Sequence, residues 1–187
     1  MKQATNNNTA TSSPLGAGGQ PLLFLIGLMG SGKTYWAQRI AQLLSYDWID
    51  LDQQIEKAMS MTVREIFATE GEDVFRAKER DTLRQLSSVK KLVVACGGGT
   101  PCFHDNMKWM NENGTTIWLC PDVDETVTRL KRGKYKRPLI AHLTDEELKE
   151  FVIHKTKERE PFYSQAHHHV CGDDIKLETF TQLFKHA

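Results

Sequence analysis

Short apolar runs alternate with stretches of helical spacing from residue 21 to the C-terminus. The run PLLFLI at 21–26 is continuous, as in a strand buried on both faces. TYWAQRIAQLL at 34–44 then places its apolar residues at helical spacing. Further strand-like runs fall at 46–51 (YDWIDL), 92–96 (LVVAC), 115–120 (TTIWLC) and 167–171. Between them the spacing predicts short helices over 53–68, broken near Ser60-Met61-Thr62, and a longer amphipathic helix over 72–88. It also predicts helices over 122–130, over 144–160 closed by Pro161, and over 175–185. Thr62 with Glu65, and Thr144 with Glu147, have capping-box spacing. Strands alternating with helices predict an α/β fold of three layers, α/β/α, around a central parallel sheet of about five strands.

The junction of the first strand and helix adds chemistry to this outline. Gly27-Leu28-Met29-Gly30-Ser31-Gly32-Lys33-Thr34 matches the phosphate-binding loop G-x-x-x-x-G-K-[S/T] at every fixed position. Backbone N–H groups of such a loop converge on phosphate oxygens, and the following helix N-terminus adds partial positive charge. Gly30, Ser31, Gly32, Lys33 and Thr34 are therefore expected to hold ATP, with Lys33 on the outer phosphates and the Thr34 hydroxyl on Mg²⁺.

Composition narrows the partners. The chain has 187 residues, the size of one domain, and its 24 basic and 24 acidic residues cancel. No bulk field favours nucleic acid or an anionic membrane, and no apolar run approaches the roughly 18 residues needed to span a bilayer. Residues 1–19 are polar and rich in Gly, Ser, Thr and Asn, which reads as a disordered leader ahead of a single domain over 20–187. Cys96, Cys102, Cys120 and Cys171 form no CxxC pair and lie in or beside apolar runs, so free thiols in a reducing cytoplasm are expected.

Three weaker patterns bear on the phosphoryl acceptor. No guanine-recognition N/T-K-x-D pattern is visible, nor a strand ending in an Asp-Glu pair. Asp50-Leu51-Asp52 follows a short strand, and alternate residues of an extended segment share a side, so both carboxylates can face the cleft at the sheet's carboxyl edge. A solvated acidic turn is the alternative. Phe75-Arg76-x-x-Glu79 puts Arg76 and Glu79 one helical turn apart, where Glu79 can orient a guanidinium suited to gripping a carboxylate. The alternative is an ordinary surface ion pair. Gly97-Gly98-Gly99-Thr100-Pro101 leaves a buried-type strand and suits close approach of a ligand to the main chain, or is a plain loop.

Taken in order, GLMGSGKT, D-L-D, F-R-x-x-E, G-G-G, R-P-L-I at 137–140 and E-R-x-P-x-Y at 158–163 resemble the shikimate kinase family, over about residues 22–171. The resemblance implies MgATP-dependent phosphorylation of the 3-hydroxyl of shikimate, towards the aromatic amino acids. It implies Asp52 as the residue that binds the reacting hydroxyl and serves as base, and Asp50 in the Mg²⁺ shell. It further implies Arg76 and Arg159 as a clamp on the substrate carboxylate, with backbone contacts from Gly98 and Gly99. Arg137 would ride a mobile lid at about 131–140 and reach the transferring phosphate, and Arg132 would stack on adenine. Within KRGKYKR at 131–137, Gly133 supplies a flexible point. The family often covers the other adenine face with a proline after the last strand, where this chain has Gly172-Asp173-Asp174. A monomer suffices for all of these roles.

Other features are expected to be structural. His167-His168-His169 with Cys171 lacks zinc-ligand spacing, because neighbours on a strand face opposite ways. Trp36, Trp48, Trp109 and Trp118 are expected to pack, and Phe67 and Phe75 either to wall the pocket or to pack. A gluconate-type or nucleotide kinase, or a nucleotide-binding module without catalysis, are the competing functions.

Overall fold

The computed structural model describes residues 22–137, 139–172 and 175–185. The leader at 1–19 and the residues Pro21, Pro138, Asp173 and Asp174 invoked above lie outside the described residues. Five strands form one sheet: β1 (Leu22–Ile26), β2 (Asp47–Asp50), β3 (Leu92–Ala95), β4 (Gly114–Cys120) and β5 (His168–Cys171). Their order is β2-β3-β1-β4-β5, and every neighbouring pair is parallel. The helices are α1 (Lys33–Leu44), α2 (Leu51–Met59), α3 (Val63–Thr69), α4 (Glu72–Arg84), α5 (Asn106–Asn113), α6 (Val123–Lys131), α7 (Asp145–Tyr163) and α8 (Leu177–Lys185).

The continuous apolar run of β1 exists because both of its faces are buried. Leu22, Phe24 and Ile26 pack with Leu51, Ile55, Ile66, Phe75, Leu83 and Met110 of the helices on one side. Leu23 and Leu25 pack with Trp36, Ile40 and Phe180 on the other. This is the period-2 alternation of a strand read through two cores. A third cluster joins Leu28 of the glycine loop to Val127 and Leu130 of α6 and Leu148 and Val152 of α7. Both capping boxes form, at Thr62 with Glu65 and at Thr144 with Glu147.

Three local expectations are corrected, and one helix is added. The segment Asp50-Leu51-Asp52 is not extended: β2 stops at Asp50, whose carboxylate caps α2 by accepting from the Gln53 N–H at 3.4 Å, and Asp52 lies in the first helical turn. The helix expected over 72–88 is α-helical only to Arg84 and continues as a 3-10 turn over Gln85–Ser88. The helix expected to close at Pro161 runs through it to Tyr163. Lys157 and Pro161 are both exposed, so water can serve the carbonyl that loses its helical donor. Helix α5 had no expectation, since NMKWMNEN offers few apolar positions and buries chiefly Met107 and Met110.

The expectation of four free thiols fails for two of them. Cys120 and Cys171 end adjacent parallel strands as register partners, with Cα atoms 4.4 Å apart, and they form a disulfide. Cys96 is free and buried, and Cys102 is free and half-buried. The bridge closes a loop across 51 positions of sequence. Replacing exposed Cys171 (Cys171→Ser) is therefore expected to cost about 2–4 kcal/mol in non-reducing denaturant titrations. The difference from wild type should vanish in dithiothreitol; equal midpoints without reductant would show that the bridge adds no stability.

Candidate active site

Because all five strands run in one direction, their carboxyl ends share one edge, and the functional motifs leave from it. The glycine loop follows β1, Asp50 ends β2, and Gly97-Gly98-Gly99 follows β3. Gly30 and Gly32 have φ of 83° and 89°, in the left-handed region that side chains resist, and Gly32 caps α1. Lys33 Nζ donates to the carbonyls of Gly27 and Leu28, both at 2.9 Å, and so lies across its own loop. Burial pulls the Lys33 ammonium down to about 8, against the opposing attraction of Asp52 and Asp50.

The Thr34 hydroxyl donates to Asp50 Oδ2 at 2.7 Å. A hydroxyl and a carboxylate side by side are the oxygen donors a hard divalent cation takes, so Thr34 and Asp50 fit the expected Mg²⁺. Asp52 reaches the same cleft from the first turn of α2. Its Oδ1 is buried and has no hydrogen-bond partner among the described residues. Burial, then the nearby Glu79 and Asp50, raise the Asp52 carboxyl to about 6. The site thus offers one unfilled acceptor close to the phosphate loop.

The three glycines are explained by what presses on them. A Cβ on Gly97 would lie 2.7 Å from Asp52 Oδ1 and 2.8 Å from Glu79 Oε1. One on Gly98 would lie 2.9 Å from Arg159 Nη1, and one on Gly99 2.6 Å from Arg76 Nη2. The protein's own carboxylates and guanidiniums take the space that side chains would fill. Consecutive glycines therefore bring Asp52, Arg159 and Arg76 together, although they come from α2, α7 and α4.

Arg76 and Glu79 are not a surface pair. Glu79 is fully buried, accepting from Arg76 Nη1 at 2.8 Å and from the Thr100 hydroxyl. Asn106 in turn donates to the Thr100 carbonyl at 3.0 Å. Phe67 and Phe75, with ring centroids 4.9 Å apart, lie beside the Arg76 guanidinium, and the Phe103 ring is nearer still, 4.4 Å from Cζ. Of the two aromatics left open above, Phe75 packs in the core, and both rings lie beside the guanidinium. One turn beyond Arg159, the buried Tyr163 hydroxyl donates to the Gly98 carbonyl at 2.5 Å.

The expected lid residues are less close to the loop. Arg137 turns back towards Gly133, where a Cβ would lie 2.8 Å from its Nη1. Arg132 is exposed at the C-terminal cap of α6. Arg129, one turn earlier, is the α6 arginine on the phosphate loop: it pairs with Glu125 at 2.7 Å and donates to the Ser31 carbonyl at 3.4 Å. Arg129, Thr100 and Tyr163 were not singled out from the sequence. For Arg129 the only signal was the i,i+4 spacing from Glu125, and Thr100 stood beside the glycine triplet without a role. Tyr163 stood in a recognised motif without a role. The histidines have separate surroundings: His167 accepts from the Thr116 N–H at 3.2 Å, and His169 lies edge-on to Trp118 at 5.2 Å.

A family model described as "Shikimate kinase" matches residues 29–187. A shikimate kinase of Phocaeicola vulgatus is 44% identical over 156 residues, covering 82% of this chain and 88% of that protein. One of Bacteroides fragilis is 40% identical over 161 residues, covering 86% and 89%. The crystal structure of the shikimate kinase of Bacteroides thetaiotaomicron superposes with a TM-score of 0.83 at 35% identity, over 88% of this chain and 98% of that one. The Acinetobacter baumannii shikimate kinase in complex with shikimate gives 0.77 at 30% identity, over 89% and 93%. With a phosphate loop, an open carboxylate and two converging arginines at one sheet edge, and with these relatives over most of its length, the chain belongs to the shikimate kinase family.

Proposed function

We propose that this protein transfers the γ-phosphate of ATP to the 3-hydroxyl of shikimate, giving shikimate 3-phosphate and ADP on the route to the aromatic amino acids. The observation that carries this reading is the contact of Gly97, Gly98 and Gly99 with Asp52, Arg159 and Arg76. An acceptor for a hydroxyl proton and two cations for a carboxylate stand together beside a phosphate loop. A hydroxylated monocarboxylic acid matches that set.

In this reading Gly30, Ser31, Gly32, Lys33 and Thr34 hold the phosphates, and Lys33 exchanges its two loop carbonyls for phosphate oxygens. Mg²⁺, held by Thr34 and Asp50, neutralises phosphate charge when bound. Asp52 accepts the hydroxyl hydrogen through its open Oδ1 and takes the proton as the new bond forms. Arg76 and Arg159 fix the substrate by its carboxylate, and Gly98 and Gly99 border it. Arg137 swings from Gly133 to the transferring phosphoryl group. Arg129, against Ser31 and Gly32, is better placed than Arg132 to flank the nucleotide. Phosphoryl transfer needs positioning and charge neutralisation above all, and these residues supply both. A monomer suffices in this reading, because each named group belongs to this one chain. No helix among the described residues is long and apolar enough to cross a membrane.

A coupled ADP-release assay with MgATP tests the reaction: shikimate should stimulate turnover strongly, and gluconate or a nucleoside monophosphate should not. No response to shikimate would overturn the reading. The pH profile tests Asp52. Protonated Asp52 has lost its role as acceptor, so kcat/KM for shikimate should fall about tenfold per unit as pH drops below about 6. Loss of the Lys33 charge should lower it again above about 8. A profile flat between pH 5 and 7 would remove Asp52 from that role. Arg159→Ala should raise the shikimate KM by about 30-fold or more, since losing one partner of a buried charged contact costs about 2–5 kcal/mol. The KM for ATP should stay near wild type, and an equal rise in both would place Arg159 outside the carboxylate site.

A further inference from the structure

The guanidinium of Arg76 already has carboxylates on it. Nε and Nη2, the two parallel donors of its side-on fork, both point to Glu72 Oε1, at 3.1 and 3.0 Å. One N–H of Nη1 goes to Glu79 Oε2 at 2.8 Å. The faces of the guanidinium are crowded too: a Cβ on Gly99 would lie within 2.8 Å of Nη1, Nη2 and Cζ, and the Phe103 ring centroid is 4.4 Å from Cζ. A second carboxylate that is to be held by two parallel N–H bonds must therefore arrive in the plane, at an edge.

The two resident acids differ in what holds them. Glu79 is fully buried and has a second donor in Thr100, so removing it from Arg76 would strand a charge without solvent. The Glu72 side chain is about half exposed, and Arg76 is its sole partner among the described residues. It can swing into water at little cost, as exposed ion pairs do. We propose that Glu72 is a place-holding ligand of Arg76, which the carboxylate of the substrate displaces from the Nε/Nη2 fork. The inference rests on the reading of the substrate as a carboxylic acid. Glu72 then keeps the fork aligned and its donors satisfied in the empty site, and it competes with the acid that must bind there. It is a positioning residue that sets substrate affinity without joining the chemistry.

Glu72→Gln keeps the size of the side chain and removes the competing charge. Its shikimate KM should fall about two- to fivefold, the range of an exposed ion pair, while kcat and the KM for ATP stay unchanged. Asp73→Asn, in the same first turn of α4, removes a like charge that forms no ion pair with Arg76 among the described residues, and should leave all three constants alone. Calorimetry with cyclohexanecarboxylate, which has the acid and no hydroxyls, should show the same gain in Glu72→Gln. An unchanged or raised shikimate KM in Glu72→Gln, or an equal drop in Asp73→Asn, would overturn the proposal. If wild type ignores shikimate in the ADP-release assay yet Glu72→Gln binds the hydroxyl-free acid more tightly, the substrate reading fails and the role of Glu72 stands.

Discussion

The arrangement around the cleft depends on one buried charge. Glu79 has no exposure to solvent, and an ionised carboxylate in that position is tolerable only while its donors remain in place. Arg76 and Thr100 supply them, and Gly97 must lack a side chain to leave room. Arg76 is held rigid from below as a result, while Asn106 holds Thr100 by its carbonyl. The same charge presses on Asp52 and helps to keep its carboxyl near 6. A rigid guanidinium and a tuned carboxylate thus follow from a single desolvated group on α4.

The sequence made the plan of the sheet plain and left its details obscure, for physical reasons. Runs such as LLFLI announce a strand covered on both faces, and T-x-x-E announces a helix start, because burial and capping are local. The site motifs were legible where spacing alone fixes proximity, as in the glycine loop or Arg76 with Glu79. Asp50-Leu51-Asp52 was misread as extended because two aspartates suit a strand end and a helix cap equally, and only the start of α2 decides. The contacts of Thr100, Tyr163 and Arg129 span long stretches of chain and carry no local pattern. The disulfide was hidden for a similar reason. Nothing in the spacing of Cys120 and Cys171 says that their strands will be neighbours in register.

The glycine triplet has a structural reason beside the one its sequence suggests. Three glycines suggested that a ligand approaches the main chain. What occupies the space at each is a charged group of the protein itself, from three different helices. Small residues at the end of β3 let those helices bring their charges to one point.

Helix α7 has a double attachment with a mechanical meaning. It carries Arg159 and, one turn later, Tyr163, which is bonded to Gly98; further back, Leu148 and Val152 pack with Leu28 of the phosphate loop and with Leu130 of α6. The helix therefore ties the glycine triplet after β3 to the phosphate loop and α6. Any displacement of the helix at one end would be felt at the other, and coupling of that kind is reciprocal: whatever factor a ligand at one end added to binding at the other would be returned in full.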